Sequence, residues 1–333
     1  MTELWTELPM FDGKTLLITG GTGSFGQAFT RHILSNFDPK KIIIFSRDEM
    51  KQWEMAKNNP DPRIRFFLGD VRDRDRLSRA FFGVNYVVHA AALKIVPSAE
   101  YDPFETVKTN IIGAMNVIDV AIDRNVEKLV ALSTDKACLP INLYGGSKLV
   151  SDKLFISGNQ YSRPESTKFA VVRYGNVMGS RGSIIPLFRS QISQGFVTIT
   201  DERMTRFMVT LQQGIETVVL AFQDMHGGEM YVRKVPSMKI IDVVSAMDDT
   251  VELRFIGIRP GEKLHEQMIS KEDAAYTFEY EDYYKIIPAT VSSEIAKART
   301  KGAKPVHDGF YYSSDQNPDW MPKETIRQWL KKN

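Results

Sequence analysis

The chain has 333 residues, 43% of them apolar and 25% charged, and its acids and bases balance to a net charge of +2. Such a chain can bury a full core, while its scattered charge offers no basic face to nucleic acid and no basic amphipathic helix to a membrane surface. A single cysteine, Cys138, excludes an internal disulfide and a cysteine-rich metal cluster, and His32, His89, His226, His265 and His307 show no ligand spacing, so no metal is expected.

The first residues, with Glu3 and Glu7, lack the basic-then-apolar pattern of a signal peptide, and no apolar stretch approaches the roughly 18 residues of a membrane helix. A soluble cytoplasmic protein is the expectation. Apolar runs then recur at Leu16 to Ile18, Ile42 to Phe45, Ile64 to Phe67, Tyr86 to His89, Leu129 to Leu132 and Phe169 to Val172, with helix-length segments between most of them. This alternation predicts an α/β fold, a Rossmann-type doubly wound parallel sheet over about residues 10–175, with ligands at the carboxyl ends of its strands. Past Tyr174 the chain turns to short segments rich in Gly, Pro and Arg. These predict a smaller C-terminal α/β substrate domain over 176–333, with the chain free to cross between the two. The tail from Lys323 to Lys332 reads as an amphipathic helix with Trp329 and Leu330 turned inward.

The first strand runs into Thr19-Gly20-Gly21-Thr22-Gly23-Ser24-Phe25-Gly26. Here Gly20 permits a tight turn, Gly23 lets backbone approach a pyrophosphate and Gly26 lets helix pack on strand, with Thr22, Ser24 and Phe25 completing the cradle at a helix N-terminus. A dinucleotide is expected. The second strand ends on Ser46 and Arg47, whose donors suit a 2′-phosphate better than a hydroxyl, which places NADP ahead of NAD; the neighbouring Asp48 leaves NAD as the alternative. Asp70 and Val71, after the third strand, are placed to hold the adenine. Ala90, Ala91 and Ala92, after the fourth, are small enough to let backbone lie against ribose and nicotinamide.

Tyr144 and Lys148 stand four apart in Tyr-Gly-Gly-Ser-Lys, on one face of a helix, and Thr134 lies ten residues before the tyrosine. A cationic lysine beside a phenol favours the phenolate, a base for an alcohol proton. With the glycine loop, these residues resemble the extended short-chain dehydrogenase/reductase family over almost the whole chain. The resemblance implies activity on nucleotide-activated sugars, a Thr134-Tyr144-Lys148 triad, and a homo-oligomer of two or more copies.

Within that family Ser133-Thr134-Asp135-Lys136 separates the chemistries. A 4-epimerase needs no further acid and base beside the threonine, whereas a 4,6-dehydratase must remove a proton from C5 and protonate the 6-hydroxyl. Members that retain the C5 configuration usually read Thr-Asp-Glu; here the third residue is Lys136. Ser-Thr-Asp-Lys-Ala, Ile-Asn-Leu-Tyr-Gly, Arg-Tyr-Gly-Asn-Val and Ile-Arg-Pro-Gly-Glu-Lys-Leu-His-Glu (258–266) are similar to the group that acts on UDP-N-acetylglucosamine with inversion at C5, which supplies pseudaminic acid for flagellin glycosylation. Tyr144 favours that branch over capsule-type relatives, which commonly carry methionine there. The resemblance implies Lys136 as the C5 base, kept neutral by the charge of Lys148 and the cofactor, and Asp135 as the assistant to water loss. It also implies that Lys94, Asn176, Arg181, Thr200, Arg206, Arg259 and Glu262 grip the UDP-sugar. The alternatives are C5-retaining dehydration, UDP-sugar 4-epimerisation, and a non-catalytic NADP-sensing interaction protein.

Overall fold

The computed structural model describes residues 9–163, 166–179, 184–300 and 302–332. Six parallel strands, β1 (Thr15–Thr19), β2 (Lys41–Ser46), β3 (Ile64–Leu68), β4 (Tyr86–His89), β5 (Lys128–Thr134) and β6 (Lys168–Tyr174), lie side by side in the order β3-β2-β1-β4-β5-β6. Each coincides with an apolar run of the sequence. The runs are continuous because the sheet is covered on both faces. Successive side chains take opposite faces: Leu17, Ile43, Phe45, Val87, Leu129 and Phe169 fall in one buried cluster, and Leu16, Ile18, Ile42, Ile44, Val88 and Val130 in another.

The sheet does not end with β6. Met230–Arg233 joins it in parallel, and Tyr283–Ile286, Thr277–Glu279 and Lys304–Pro305 extend it antiparallel to ten strands. The helix Leu211–Asp224 buries Val218, Val219 and Phe222 in the second cluster, so the chain crosses back to the main sheet after residue 209. A separate small core of Met178, Phe188, Val197, Ile199, Met208, Val244 and Ile326 lies under two small sheets. The tail helix Lys323–Lys332 anchors there through fully buried Ile326, with Trp329 and Leu330 half-buried against the same core. No helix among the described residues is long and apolar enough to cross a membrane.

Strand register sets the site. Thr19 pairs with Phe45 and His89, His89 with Ala131, and Thr134 with Tyr174. The glycine loop, the Ala90–Ala92 segment and the Thr134–Lys136 turn therefore open on one edge, at the carboxyl ends of the strands and where the strand order reverses.

Candidate active site

The glycine loop fits a dinucleotide. Gly20 has φ +65°, and a Cβ there would lie 2.9 Å from Ala91 Cα; a Cβ on Gly26 would lie 2.5 Å from Gly21 Cα, so helix and strand touch only because both side chains are missing. Gly23 is the N-cap of helix Ser24–Asn36 and no side chain caps that helix, which leaves its first-turn donors for an anion. Thr22 Oγ1 and Ser46 Oγ hydrogen-bond at 2.9 Å, tying the loop to the end of β2. Phe25 offers only backbone here, because its ring stacks on Phe29 in the core.

Beyond the end of β2, Arg47 keeps 54% of its side chain exposed and lies 3.8 Å from Asp70. Asp70 accepts from the Arg72 backbone at 3.0 Å and its guanidinium at 2.8 Å. Burial would raise the Asp70 carboxyl, but Arg72, with Arg47 behind it, holds it below the usual range. Val71 is buried, and its carbonyl accepts from Asn116. Ala91 donates to Thr19 Oγ1 at 3.3 Å, and the same hydroxyl meets His89 Nδ1 at 2.8 Å. Burial, helped by the charge of Lys148, pushes the His89 imidazole down to about 3.

Thr134 ends β5, and Tyr144 and Lys148 lie on helix Leu143–Tyr161. Asn142 caps that helix by accepting from Gly145 N at 2.7 Å, and its amide donates to Gly261 O at 2.7 Å. A Cβ on Gly145 would collide with the Lys136 carbonyl, so this glycine lets the helix lie against the turn. The Thr134 hydroxyl donates to Asp135 Oδ1 at 2.9 Å and hydrogen-bonds Tyr144. The sequence led us to expect a phenolate favoured by Lys148. In the structure burial dominates and pushes the Tyr144 phenol up to about 12, against the opposing pull of Lys136 and Thr134. Burial likewise lowers the Lys148 ammonium, opposed by Asp152 one helical turn on. Asp152 is itself held by Ser133 Oγ at 2.6 Å and Arg173 at 3.2 Å.

Lys136 requires a correction. Its Nζ lies 3.1 Å from Asp135 Oδ1 and 3.2 Å from Glu266 Oε1. Burial alone would lower its ammonium, but the two carboxylates outweigh that and the more distant Arg206, and raise it. Lys136 is thus held as a cation between two anions, rather than kept neutral by Lys148. Asp135 and Glu266 are both buried, and Asp135 Oδ2 and Glu266 Oε2 have no hydrogen-bond partner among the described residues.

The expected substrate residues divide. Lys94 is exposed just past β4. Asn176 has a buried Oδ1 with no partner among the described residues, an acceptor turned from solvent. Arg259, with 62% of its side chain exposed, forks onto Glu262 at 3.0 and 3.1 Å. Thr200 follows strand Phe196–Ile199. Arg206 is buried, and its terminal nitrogens donate to the carbonyls of Thr205, Lys263 and Leu264, so it braces the loop before Glu266 instead of presenting an open fork. Arg181 lies outside the described residues.

Sequence reasoning passed over Glu266, Asp152, Arg173 and Asn110. Glu266 stood unassigned in a recognised phrase, and Asp152 carried a signal in its i,i+4 spacing from Lys148. Asn110 sits in a π-helical turn, Lys108–Ile112, and ties Leu93 to Ser147 Oγ at 2.9 Å each.

A doubly wound sheet with Thr134, Tyr144 and Lys148 along its carboxyl edge is the architecture of an extended short-chain dehydrogenase/reductase. Among known proteins, 95% of the chain is 52% identical to a UDP-N-acetylglucosamine 4,6-dehydratase (inverting) of Campylobacter jejuni, over 97% of that protein. A UDP-glucose 4-epimerase of Rickettsia conorii is 45% identical over 89% of each chain. The solved structure of Pen from Bacillus thuringiensis superimposes with a TM-score of 0.88 at 37% identity, over 97% of this chain and 98% of that one. The chain belongs to the polysaccharide biosynthesis protein family, which its residues 16–288 match.

Proposed function

We propose that the protein is a hydro-lyase that removes water from UDP-N-acetylglucosamine and inverts C5. The product is UDP-2-acetamido-2,6-dideoxy-β-L-arabino-hex-4-ulose, the first intermediate of pseudaminic acid biosynthesis. The observation that carries this reading is the Asp135–Lys136 pair, 3.1 Å apart and joined through Thr134 to Tyr144. Moving a hydride off C4 and back needs no such pair; elimination across C5 and C6 needs both a base and an acid. Identity of 52% to an enzyme of that name supports the reading. The 45% identity to a 4-epimerase supports epimerisation as the second reading.

The glycine loop, Ser46, Arg47, Asp70, Val71 and Ala90 to Ala92 would hold NADP, with exposed Arg47 favouring the 2′-phosphate over NAD. When bound, the nicotinamide supplies the hydride acceptor that makes C4 a ketone and the hydride that later reduces C6. Tyr144 takes the 4-hydroxyl proton as its phenolate, which the charge of Lys136 and the positive charge of a bound oxidised cofactor would favour against burial. A proton shift from Lys136 Nζ to Asp135 Oδ1 converts the ion pair into an amine and a carboxylic acid without changing its net charge. The amine removes the C5 proton, acidified by the adjacent carbonyl, and the acid protonates the departing 6-hydroxyl, which restores ammonium and carboxylate. The proton held by Tyr144 returns to C5 on the opposite face, so every group ends as it began. Lys94, Asn176, Thr200, Arg259 and Glu262 contact the UDP-sugar in this reading, which also assigns that role to Arg181 by its place in the sequence alone. The protein works in the cytoplasm as a homo-oligomer, a state supported by exposed Ile95, Tyr101, Phe104, Ile112 and Met115.

Incubation with UDP-N-acetylglucosamine, followed by mass spectrometry and chromatography, tests the reading. A product lighter by one water is expected. UDP-N-acetylgalactosamine would favour epimerisation instead, and unchanged substrate would favour an NADP-sensing protein without catalysis.

A further inference from the structure

We propose that Glu266 is a positioning residue for the dehydration, clamping Lys136 from the side opposite Asp135 and stabilising the ammonium that forms when Lys136 receives the C5 proton. The inference rests on the reading above for its catalytic consequence, but the clamp itself rests on geometry. Glu266 is buried and reaches Lys136 Nζ at 3.2 Å from a distant part of the chain. Its backbone is fixed on both sides by one residue: Glu266 N donates to Ser314 Oγ at 2.9 Å, and Ser314 N donates to Glu266 O at 2.8 Å. Ser314 Oγ meets Thr205 Oγ1 at 2.7 Å, which locks this segment to strand Thr205–Val209. The carboxylate is therefore delivered to the turn by a braced framework and does not arrive there as a mobile side chain.

The charges facing Lys136 come from four elements. Asp135 shares its turn, Glu266 comes from the segment before Gln267–Ile269, Arg206 from strand Thr205–Val209 lies 3.8 Å from Glu266 Oε1, and the Tyr144 phenol comes from helix Leu143–Tyr161. Removing either anion leaves the amine with one counter-charge in a buried site. While Asp135 holds its proton as the acid, the Glu266 carboxylate is the counter-charge left to the Lys136 amine, and an amine facing a carboxylate is a stronger base than one without, which suits removal of a weakly acidic C–H proton. The step balances: the C5–H bond breaks, the proton joins the Lys136 amine, and the electron pair passes to the carbonyl-conjugated system as the 6-hydroxyl leaves with the Asp135 proton.

Lys136 keeps 23% of its side-chain surface exposed, so a small acylating reagent can reach it. We would label the purified holoenzyme, without substrate, with trace acetic anhydride across a pH series and read Lys136 by mass spectrometry, with exposed Lys40 and Lys41 as internal references. The labelling midpoint of Lys136 should lie about one pH unit or more above those of the references, fall by about one unit or more in Glu266→Gln, and recover in Glu266→Asp. A wild-type midpoint level with the references, or one that Glu266→Gln leaves in place, would overturn the clamp. Should Glu266→Gln not fold, the wild-type and Glu266→Asp titrations decide the matter. In deuterated water with UDP-N-acetylglucosamine, Glu266→Gln should incorporate C5 deuterium about tenfold more slowly or worse, and an unchanged rate would overturn the catalytic role. Absence of C5 exchange in the wild type would instead strike the dehydratase reading and leave the labelling result standing.

Discussion

The two halves of the cleft are specified by opposite means. Around the glycine loop, the geometry depends on side chains that are missing: Gly20 beside Ala91, Gly26 against Gly21, and a helix start that no side chain caps. Around the Thr134–Lys136 turn, the geometry depends on polar and charged groups present, gathered from the turn after β5, helix Leu143–Tyr161, strand Thr205–Val209 and the segment ending at Glu266. The first half is local in sequence and tolerates little volume. The second is dispersed, and its chemistry is set by which charges fold brings within about 4 Å.

Perturbing each half should give different signatures. The largest effect is expected for Lys136→Ala, with C5-hydrogen exchange on the order of 10³-fold slower, while cofactor binding, measured by fluorescence, stays intact. Next comes Asp152→Ala, which strips Arg173 and Ser133 of a buried partner and should lower stability by about 3–5 kcal/mol in urea unfolding. In the glycine half, Gly26→Ala should destabilise by about 1–3 kcal/mol and weaken cofactor binding, because helix Ser24–Asn36 must lift from the sheet. If Gly26→Ala binds cofactor normally, the contrast between the halves fails.

Per pH unit, the smallest effect is a pH dependence. The folded-state pKa of His89 is depressed to about 3 from an ordinary value near 6.5, so its contribution is fully present above about pH 6.5 and is lost as pH falls towards 3. Urea melts should show about 1.4 kcal/mol lost per pH unit through that window from this group, and His89→Asn should flatten the slope.

The same contrast explains what was legible in the sequence. The runs at β1 to β6 were readable because a sheet buried on both faces demands continuous apolar residues. Met230–Arg233 is as buried but follows a change in chain texture, and its place beside β6 depends on a long return path that no local pattern records. Thr134, Tyr144 and Lys148 were readable because one turn and one helix position all three. The charge state of Lys136 was not, because its second carboxylate belongs to Glu266. Arg206 shows the same limit: its residue type suits a diphosphate, yet the carbonyls of Lys263 and Leu264, far along the chain, take its donors.

In the proposed reaction the charged half adds an elimination to a hydride-transfer site. The most direct measurement is the NMR spectrum of the product formed from UDP-N-acetylglucosamine in deuterated water. The expected product is a 4-keto-6-deoxy sugar with deuterium at C5 and the L-arabino configuration. A C5 position that keeps its original hydrogen, or a product that keeps its 6-hydroxyl, would contradict it.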